Sequence, residues 1–225
     1  MSESGTISGR AESSGSGGMY VAVAGNIGAG KSSLTRILSQ RYHLSPVYEA
    51  VDENPYLEDF YRDMARYAFH SQIFFLATRL RQHLRQVNPG RRVIQDRTVY
   101  EDAAIFARVL HEDGVMDARD HASYRTLYQA VTAALRPPDL LIYLRASLPT
   151  LRRHIRQRGR PYEADIQDAY LERLGGLYER WIEDYDLSPV VVVPVDDLDF
   201  VNHDPDLRRM LDLLERHGLT RPVVG

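Results

Sequence analysis

The residues most able to do chemistry in this sequence lie in one glycine-rich segment. It reads Gly-Asn-Ile-Gly-Ala-Gly-Lys-Ser and fits the pattern GxxxxGKS/T, directly after an apolar run and at the start of a helical pattern. Glycines let backbone N–H groups turn inward around phosphate oxygens, and the start of the helix adds a favourable field. We expect the lysine to reach the β- and γ-phosphates of a nucleotide and the serine hydroxyl to bind Mg²⁺. The predicted nucleotide-binding residues are Gly25, Asn26, Ile27, Gly28, Ala29, Gly30, Lys31, Ser32 and Ser33.

Two acidic positions follow predicted strands and could act on the same nucleotide. Glu49 follows the strand predicted at residues 46–48, and Asp96 with Arg97 follows the strand predicted at 92–95. A carboxylate at the C-terminal end of a strand beside a phosphate loop can hold Mg²⁺ or its waters, and an arginine there can stabilise developing negative charge. Taken alone, the first acid also fits a surface loop and the second a helix N-cap.

A long helical pattern over residues 57–87 aligns several polar side chains. Gln72 and Arg79 are seven residues apart and share a face with about 20° of drift, and Tyr61 lies three turns earlier on nearly the same face. A glutamine amide presents one donor and one acceptor, which complements adenine and can rotate to suit cytosine or guanine. Each of these residues, considered singly, also fits the solvated face of a helix.

An arginine-rich segment, RRHIRQRGRPYE, begins at residue 152. Arginines that close over the phosphates of a bound nucleotide are common in phosphoryl transfer. The segment therefore favours a lid, although a solvated helix or a basic patch for an acidic partner would have the same composition.

Short apolar strands alternate with helical patterns along the chain. Strands are predicted at residues 20–24, 46–48, 92–95, 140–144 and 190–195, and helices at 31–40, 57–87, from the third strand to 110, 118–135, 149–158, 169–185 and 204–217. Continuous apolar strands separated by helices indicate a parallel sheet covered on both faces. With the phosphate loop, this predicts an α/β, P-loop NTPase fold: a five-stranded parallel sheet with helices on both faces and an Arg-rich lid.

Composition excludes several classes of protein. The formal net charge of −3 over 225 residues argues against a nucleic-acid binder that works through a basic field. There is no cysteine, so disulfides and thiolate metal sites are excluded, and this suits a cytoplasmic protein. No apolar run approaches the roughly 20 residues that span a bilayer. Residues 1–18 are rich in serine and glycine and are expected to form a disordered leader, with one domain over residues 19–225.

In order and content, these motifs resemble the deoxyribonucleoside kinase family, and most closely its bacterial deoxyadenosine/deoxyguanosine kinases. The stretches VDENPYLEDFY and YEDAAIFARVL carry much of this likeness, which runs from Met19 to the last helix. The resemblance implies ATP as phosphate donor, Mg²⁺, a deoxyribonucleoside substrate and a homodimer, and no nucleic-acid or membrane partner.

The resemblance also implies roles for individual residues. Catalysis would fall to Glu49 as general base, with Arg97, Lys31 and the lid residues Arg158 and Arg160 stabilising charge. The nucleoside would be bound by Glu49, Tyr61 at the sugar 3′-hydroxyl, Gln72 at the base edge, Arg79 paired with Asp102, Arg97, Phe106 packed against the base, and Glu163 at the sugar. Asp199 and Phe200 would belong to the adenine-binding loop, and Ser32 and Asp96 to the metal site. One lid position that usually holds arginine in that family is His154 here.

The implied function is phosphorylation of the 5′-hydroxyl of deoxyadenosine or deoxyguanosine. The Arg79–Asp102 pair favours a purine or deoxycytidine over thymidine in that family, so deoxycytidine stays open. A nucleoside monophosphate kinase is a further alternative, and it would need extra cations at the acceptor phosphate. A regulatory ATPase would give no reason for the polar residues of the long helix to converge.

Overall fold

Five strands form one parallel sheet at the centre of the computed structural model, which describes residues 18–49 and 53–221. The strands are β1 (Tyr20–Gly25), β2 (Ser45–Val47), β3 (Val93–Asp96), β4 (Leu140–Arg145) and β5 (Val190–Pro194). Their order in the sheet is β2-β3-β1-β4-β5, and every neighbouring pair is parallel. The α/β fold with a five-stranded parallel sheet is therefore confirmed.

Helices connect these strands and cover both faces of the sheet. In the described part of the chain they are α1 (Lys31–Tyr42), α2 (Leu57–Arg62), α3 (Met64–Gln82), α4 (Val99–Glu101), α5 (Arg108–Glu112), α6 (Ala118–Thr132), α7 (Leu148–Arg158), α8 (Asp168–Glu183) and α9 (Asp204–Arg216). Two π-helical segments, His83–Val87 and Asp102–Ala107, and a 3-10 turn at Pro161–Glu163 complete the helical structure described here. None of the helices in these ranges is long and apolar enough to cross a bilayer.

The central strand β1 is buried on both sides because its side chains alternate between two cores. Val21 and Val23 pack in a core with residues of α1, α7 and α9, while Tyr20, Ala22 and Ala24 pack in a second core with residues of α8 and of the helical run 99–112. Burial on both faces explains why this strand reads as a continuous apolar run. Because each Å² of apolar surface removed from water contributes about 25 cal/mol, these two cores are the main stabilising contribution to the sheet.

The prediction of one helix over residues 57–87 is wrong. The helix ends at Arg62, and Asp63 leaves the helical region with φ −141° and ψ 81°. The Asp63 side chain accepts a hydrogen bond from the backbone N–H of Arg66 and so caps the start of α3. The prediction that Tyr61 shares a helical face with Gln72 is wrong for the same reason, because Tyr61 belongs to α2 and Gln72 to α3.

The strand ends bring the predicted chemistry to one edge of the sheet. The phosphate loop follows β1, Glu49 lies two residues after β2, and Arg97 follows β3 directly. In parallel sheets of this kind the carboxyl ends of the strands form the ligand-binding edge. The predicted leader at residues 1–18 falls outside the described residues except for Gly18, so the leader and the domain boundary stay predictions.

Candidate active site

The phosphate loop has the backbone conformation that phosphate binding requires. Gly28 and Gly30 have φ values of 84° and 99°, in the left-handed region that favours glycine. A Cβ atom on Gly28 would lie 2.8 Å from the carbonyl oxygen of Leu151, so α7 also packs too closely for a side chain there. Lys31 follows at the first position of α1 and is buried.

Lys31 and Asn26 hold the loop in shape. The Lys31 ammonium donates a hydrogen bond to the Asn26 carbonyl oxygen at 2.9 Å, and the Asn26 amide donates to the Leu171 carbonyl oxygen on α8 at 2.8 Å. Burial lowers the pKa of Lys31 to about 8, and the nearby Arg97 contributes in the same direction. A bound triphosphate would favour the charged ammonium.

Ser32 and Asp96 form a polar pair beside the loop that suits a hard cation. The Ser32 hydroxyl donates a hydrogen bond to Asp96 Oδ2 at 2.5 Å, and the buried Asp96 Oδ1 has no hydrogen-bond partner. Burial raises the pKa of Asp96, with Lys31 opposing that shift. An unpaired carboxylate oxygen beside a hydroxyl fits Mg²⁺, which commonly takes one or two protein oxygens and completes its shell with phosphates and waters. The pair contains one carboxylate, and the described residues contain no cluster of three or more His, Asp or Glu side chains suited to a metal.

Glu49 lies between two buried arginines. Arg79 donates a hydrogen bond from Nη2 to Glu49 Oε1 at 2.6 Å, and Arg97 Nε lies 3.2 Å from Glu49 Oε2 without the alignment of a hydrogen bond. Burial alone would raise the pKa of Glu49, but Arg97, Arg79 and Lys31 together lower it to about 2. The carboxylate is therefore charged at neutral pH and able to accept a hydrogen bond.

Arg97 adopts an unusual backbone conformation for a residue with a side chain. Its φ is 63°, in the left-handed region, and its N–H donates to the Val23 carbonyl oxygen at 3.0 Å. A non-glycine residue in this region costs of order 1–3 kcal/mol, and such strain concentrates at functional sites. Its guanidinium carbon lies 4.3 Å above the centre of the Phe106 ring, which adds a cation–π contact.

Gln72, Arg79 and Asp102, here named the Gln72 group, are all buried and line one cavity together with Glu49. Arg79 Nε donates to Asp102 Oδ2 in a short contact, while the same guanidinium holds Glu49. Burial raises the pKa of Asp102 to about 7, and Arg79 opposes this shift. Gln72 is 3% exposed and its Oε1 has no hydrogen-bond partner. A buried acceptor without a partner is costly, which indicates that a ligand satisfies it.

Aromatic residues form the walls around this group. Tyr61 stacks on Tyr162 with a ring-centre distance of 6.1 Å and an interplanar angle of 11°. Although it belongs to α2, Tyr61 lines the same cavity as Gln72, and so do Phe75 and Phe106. Flat apolar walls with a few fixed polar groups suit a purine or pyrimidine ring.

The predicted lid residues lie over the same cavity and are paired with each other. Arg158 donates two hydrogen bonds from Nη2 to the buried carboxylate of Glu163, at 2.7 and 2.6 Å, and one from Nε at 3.0 Å. Arg160 Nη1 lies 3.6 Å from the same carboxylate. His154 Nδ1 lies 2.8 Å from the Gly28 carbonyl oxygen, so this residue contacts the phosphate loop itself.

Asp199 and Phe200 form a turn beside the phosphate loop. The Asp199 carboxylate accepts hydrogen bonds from the backbone N–H groups of Val201 and Asn202. The Phe200 ring lies 3.1 Å from the place where a Cβ of Gly30 would be, so it packs directly on the loop. This turn lines the cavity beside the phosphate loop.

One cavity of about 1010 Å³ joins these parts. It is lined at one end by the phosphate loop, the Asp199–Phe200 turn and the arginine-rich segment that contains Arg158 and Arg160, and at the other by the Gln72 group and the aromatic walls. Of the residues predicted for the site, those lining it are Ile27, Gly28, Gly30, Lys31, Ser32, Ser33, Glu49, Tyr61, Gln72, Arg79, Asp96, Arg97, Asp102, Phe106, Arg158, Arg160, Glu163, Asp199 and Phe200. Gly25, Asn26 and Ala29 are buried behind the loop and do not line the cavity.

Two buried residues that lie behind the cavity lining, Glu101 and Tyr178, were not predicted. The Glu101 carboxylate accepts hydrogen bonds from the Thr98 backbone N–H at 2.8 Å and from the Tyr178 hydroxyl at 2.7 Å. The first contact could have been found, because Thr98-x-x-Glu101 is the sequence pattern of a capping box. The second joins residues 77 positions apart, and nothing in the local sequence indicates it.

Comparison with known proteins places the chain among nucleoside kinases. The deoxynucleoside kinase family matches residues 21–217. A deoxyadenosine/deoxycytidine kinase of Bacillus subtilis is 38% identical over 194 residues, which cover 85% of this chain and 89% of the relative. A deoxyguanosine kinase of Lactobacillus acidophilus is 38% identical over 201 residues, which cover 85% of this chain and 87% of the relative.

Solved structures agree with the sequence relatives. The structure of a deoxyadenosine kinase from M. mycoides with bound dATP superposes with a TM-score of 0.78 at 32% identity, over 88% of this chain and 100% of that one. The fold, the motifs and the relatives all agree, and the protein belongs to the deoxynucleoside kinase family.

Proposed function

We propose that this protein transfers the γ-phosphate of ATP to the 5′-hydroxyl of a purine deoxyribonucleoside, deoxyadenosine or deoxyguanosine. The observation that carries the proposal is the place of Glu49. Its carboxylate lines the single cavity between the phosphate loop and the Gln72 group, and two arginines hold it ionised. An acceptor in that position can orient an alcohol for attack on a phosphate bound in the loop.

The catalytic step would use groups that are already in place. Glu49 accepts the proton of the 5′-hydroxyl as the oxygen attacks. Its low pKa suits a loose transition state, in which the nucleophile loses its proton late. Lys31, Arg97 and the lid arginines Arg158 and Arg160 neutralise the charge on the transferred phosphoryl group. Ser32 and Asp96 are the residues that would hold Mg²⁺, and the bound cation would supply positive charge that offsets part of the charge on the phosphates.

The base would be recognised by the buried polar group. The unpartnered Gln72 Oε1 can accept from the exocyclic amino group of adenine, and its amide N–H₂ can donate to a ring nitrogen. Arg79 and Asp102 fix the far wall of the pocket, and Phe106 packs on the base. At the sugar, Tyr61 and Glu163 would bind the 3′-hydroxyl, which connects the lid to the nucleoside.

Deoxycytidine is the second candidate because relatives favour it. The Bacillus subtilis relative is named for deoxyadenosine and deoxycytidine together, and one M. mycoides deoxyadenosine kinase structure contains dCMP. The same glutamine amide also satisfies cytosine, whose amino group donates and whose ring N3 accepts as the corresponding groups of adenine do. A nucleoside monophosphate kinase fits less well, because an acceptor phosphate would face the Glu49 carboxylate, whose two arginine partners are already engaged.

The assembly of the protein is proposed from the family resemblance and from exposed apolar residues. The family resemblance favours a homodimer formed through the long helices. Leu84, in the π-helical segment His83–Val87 that follows α3, and Leu127, on α6, are both more than 40% exposed, as residues of such an interface would be in a single chain. Light scattering coupled to size-exclusion chromatography would measure the mass directly, and a mass near the 25.7 kDa of one chain would contradict a dimer. A cytoplasmic location stays a prediction from composition.

A nucleoside panel tests the proposed activity. The four deoxyribonucleosides are offered with ATP and Mg²⁺, and the monophosphate product is measured to obtain kcat/KM for each. We expect a purine to rank first and thymidine last. Thymidine in first place, or faster turnover of deoxyadenosine monophosphate than of deoxyadenosine, would contradict the proposal.

A further inference from the structure

A buried carboxylate outside the cavity contacts the backbone and side-chain neighbours of Arg97. Glu101 is fully buried and does not line the cavity, so it has no direct access to a substrate. Each of its two carboxylate oxygens makes different contacts. One oxygen contacts the residue after Arg97, and the other contacts a tyrosine that is hydrogen-bonded to the Arg97 side chain. A buried carboxylate is retained at a cost unless its contacts satisfy it.

The first oxygen fixes the backbone after Arg97. Glu101 Oε1 accepts a hydrogen bond from the Thr98 N–H at 2.8 Å and lies 3.4 Å from the Thr98 hydroxyl. Thr98 and Glu101 together form the capping box of α4. Thr98 is the residue directly after Arg97, whose φ is 63°. The cap therefore anchors the chain at the point where the strained conformation must be held.

The second oxygen reaches the Arg97 side chain through a phenol. The Tyr178 hydroxyl donates to Glu101 Oε2 at 2.7 Å and accepts from Arg97 Nη1 at 3.5 Å. The same carboxylate oxygen lies 3.4 Å from the Gly25 N–H, at the start of the phosphate loop. A polar chain thus runs from the phosphate loop through Glu101, Tyr178 and Arg97 to Glu49.

We propose that Glu101 and Tyr178 are positioning residues for phosphoryl transfer, which hold the Arg97 guanidinium against Glu49 and in register with the phosphate loop. The proposal rests on the proposed kinase function of the same cavity. The arrangement suits the task because the Arg97 Nε–Glu49 contact lacks hydrogen-bond alignment, so Glu49 alone does not fix the guanidinium. Misplacement by about 1 Å can cost 10²-fold in rate.

Tyr178→Phe is the sharpest test because it removes one hydroxyl and preserves the ring. Tyr143→Phe is the matched control: its ring stacks on that of Tyr178 at 5.7 Å, but its hydroxyl donates to Glu179 instead. We expect Tyr178→Phe to lower kcat about 10-fold with the KM for ATP unchanged, and the control to keep kcat within about 2-fold. Equal losses in both variants would assign the effect to packing and overturn the proposal.

A second readout separates positioning from stability. If Tyr178 acts through Arg97 on Glu49, its removal should cost only about 2-fold in a Glu49→Gln background, because the group it positions is already lost. Full additivity would overturn the proposal. Glu101→Gln is expected to reproduce the loss in kcat and also to lower the unfolding midpoint. If that variant does not fold, the two tyrosine variants still decide.

The activity of the wild-type protein separates a failure of the proposed function from a failure of the positioning role. Absence of phosphorylation of any deoxyribonucleoside by the wild type would contradict the proposed function itself. Wild-type phosphorylation with an unchanged kcat in Tyr178→Phe would leave that function standing and overturn only the positioning role.

Discussion

The two ends of the cavity are formed by different kinds of chemical group. At the proposed nucleoside end, buried side chains hold one another: Arg79 joins Glu49 to Asp102, and the buried Gln72 has an oxygen without a hydrogen-bond partner. At the proposed donor end, main-chain groups of the glycine loop and the Asp199–Phe200 turn form most of the surface, and Arg158 and Arg160 of the predicted lid are about one-third exposed.

This difference predicts how each end of the cavity should respond to amino-acid substitution. Buried side-chain networks are specific and fragile, because removing one partner leaves another charge unpaired in a poor solvent. Main-chain contacts survive most substitutions, and exposed arginines can replace one another in part. Point mutations should therefore have larger effects at the nucleoside end, apart from Lys31.

The largest expected effect is on the carboxylate that joins the two ends. Glu49→Gln removes the proton acceptor and preserves the shape, so kcat should fall at least about 10²-fold while ATP binding is kept. Steady-state kinetics and titration with ATP measure both. Glu53→Gln is the control, since Glu53 is exposed and pairs with Arg81 at 3.8 Å. Turnover within a few-fold of wild type would remove Glu49 from the mechanism.

Asp102→Asn tests how far the nucleoside end acts as a unit. The change leaves Arg79 with Glu49 as its remaining carboxylate partner, and we expect kcat/KM for deoxyadenosine to fall about 30-fold, the cost of about 2 kcal/mol for losing one partner of a buried pair. Asp113→Asn, which breaks a half-exposed pair with Arg173, should change kcat/KM less than about 2-fold. Equal effects would contradict the contrast between buried and exposed contacts.

The same variant has a pH signature in stability. The folded-state pKa of Asp102, about 7, lies above the unfolded value of about 3.9. Proton binding therefore stabilises the wild-type fold fully below about pH 4, and this contribution is lost as the pH rises through 7. Asparagine cannot titrate, so the difference in unfolding free energy between the two proteins, measured in urea, should change over this window. A constant difference would show that burial does not raise the pKa of Asp102.

At the donor end, pH should act through Lys31. Its pKa is lowered to about 8, and only the ammonium binds phosphate well. Affinity for ATP should be steady near pH 7 and weaken above pH 8, by at most about 10-fold per pH unit. Calorimetric titration in the presence of Mg²⁺ measures this directly. An affinity that stays constant to pH 9.5 would contradict the lowered pKa.

The smallest expected effect is at the Asp199 turn. Asp199→Ala removes the acceptor of two exposed backbone N–H groups, a loss of about 1 kcal/mol in the local turn. The KM for ATP should rise about 3-fold with kcat unchanged, because the remaining donor contacts are main-chain. Asp212→Ala, on the exposed face of α9, is the control. A loss as large as that of Asp102→Asn would remove the proposed difference between the two ends.

Much of the fold could be predicted because its signals are local. Strands β1, β4 and β5 are short apolar runs, and each of the five predicted strands overlaps an observed one. The phosphate loop is equally local, since its glycines, Lys31 and Ser32 are consecutive. The break at Asp63 was missed because the apolar periodicity continues across it, although aspartate is a good N-cap.

The parts that escaped prediction depend on distant contacts. The π-helical segment Asp102–Ala107 carries both Asp102 and Phe106, and its wider turn changes their direction in a way that a 3.6-residue period cannot give. The pairing of Arg158 with Glu163 and the chain from Glu101 through Tyr178 to Arg97 arise only from tertiary packing. The resemblance supplied the roles of Gln72, Arg79 and Asp102, which spacing alone left open.

The central claim is that one cavity aligns a 5′-hydroxyl between Glu49 and the phosphate loop. Two adenosine analogues test it in one measurement, product analysis by ³¹P NMR with ATP and Mg²⁺. The 2′,3′-dideoxy analogue keeps the 5′-hydroxyl and should give a 5′-monophosphate, whereas the 2′,5′-dideoxy analogue should bind as a competitive inhibitor and give no nucleotide. Phosphorylation of the 2′,5′-dideoxy analogue at its 3′-oxygen would contradict the account.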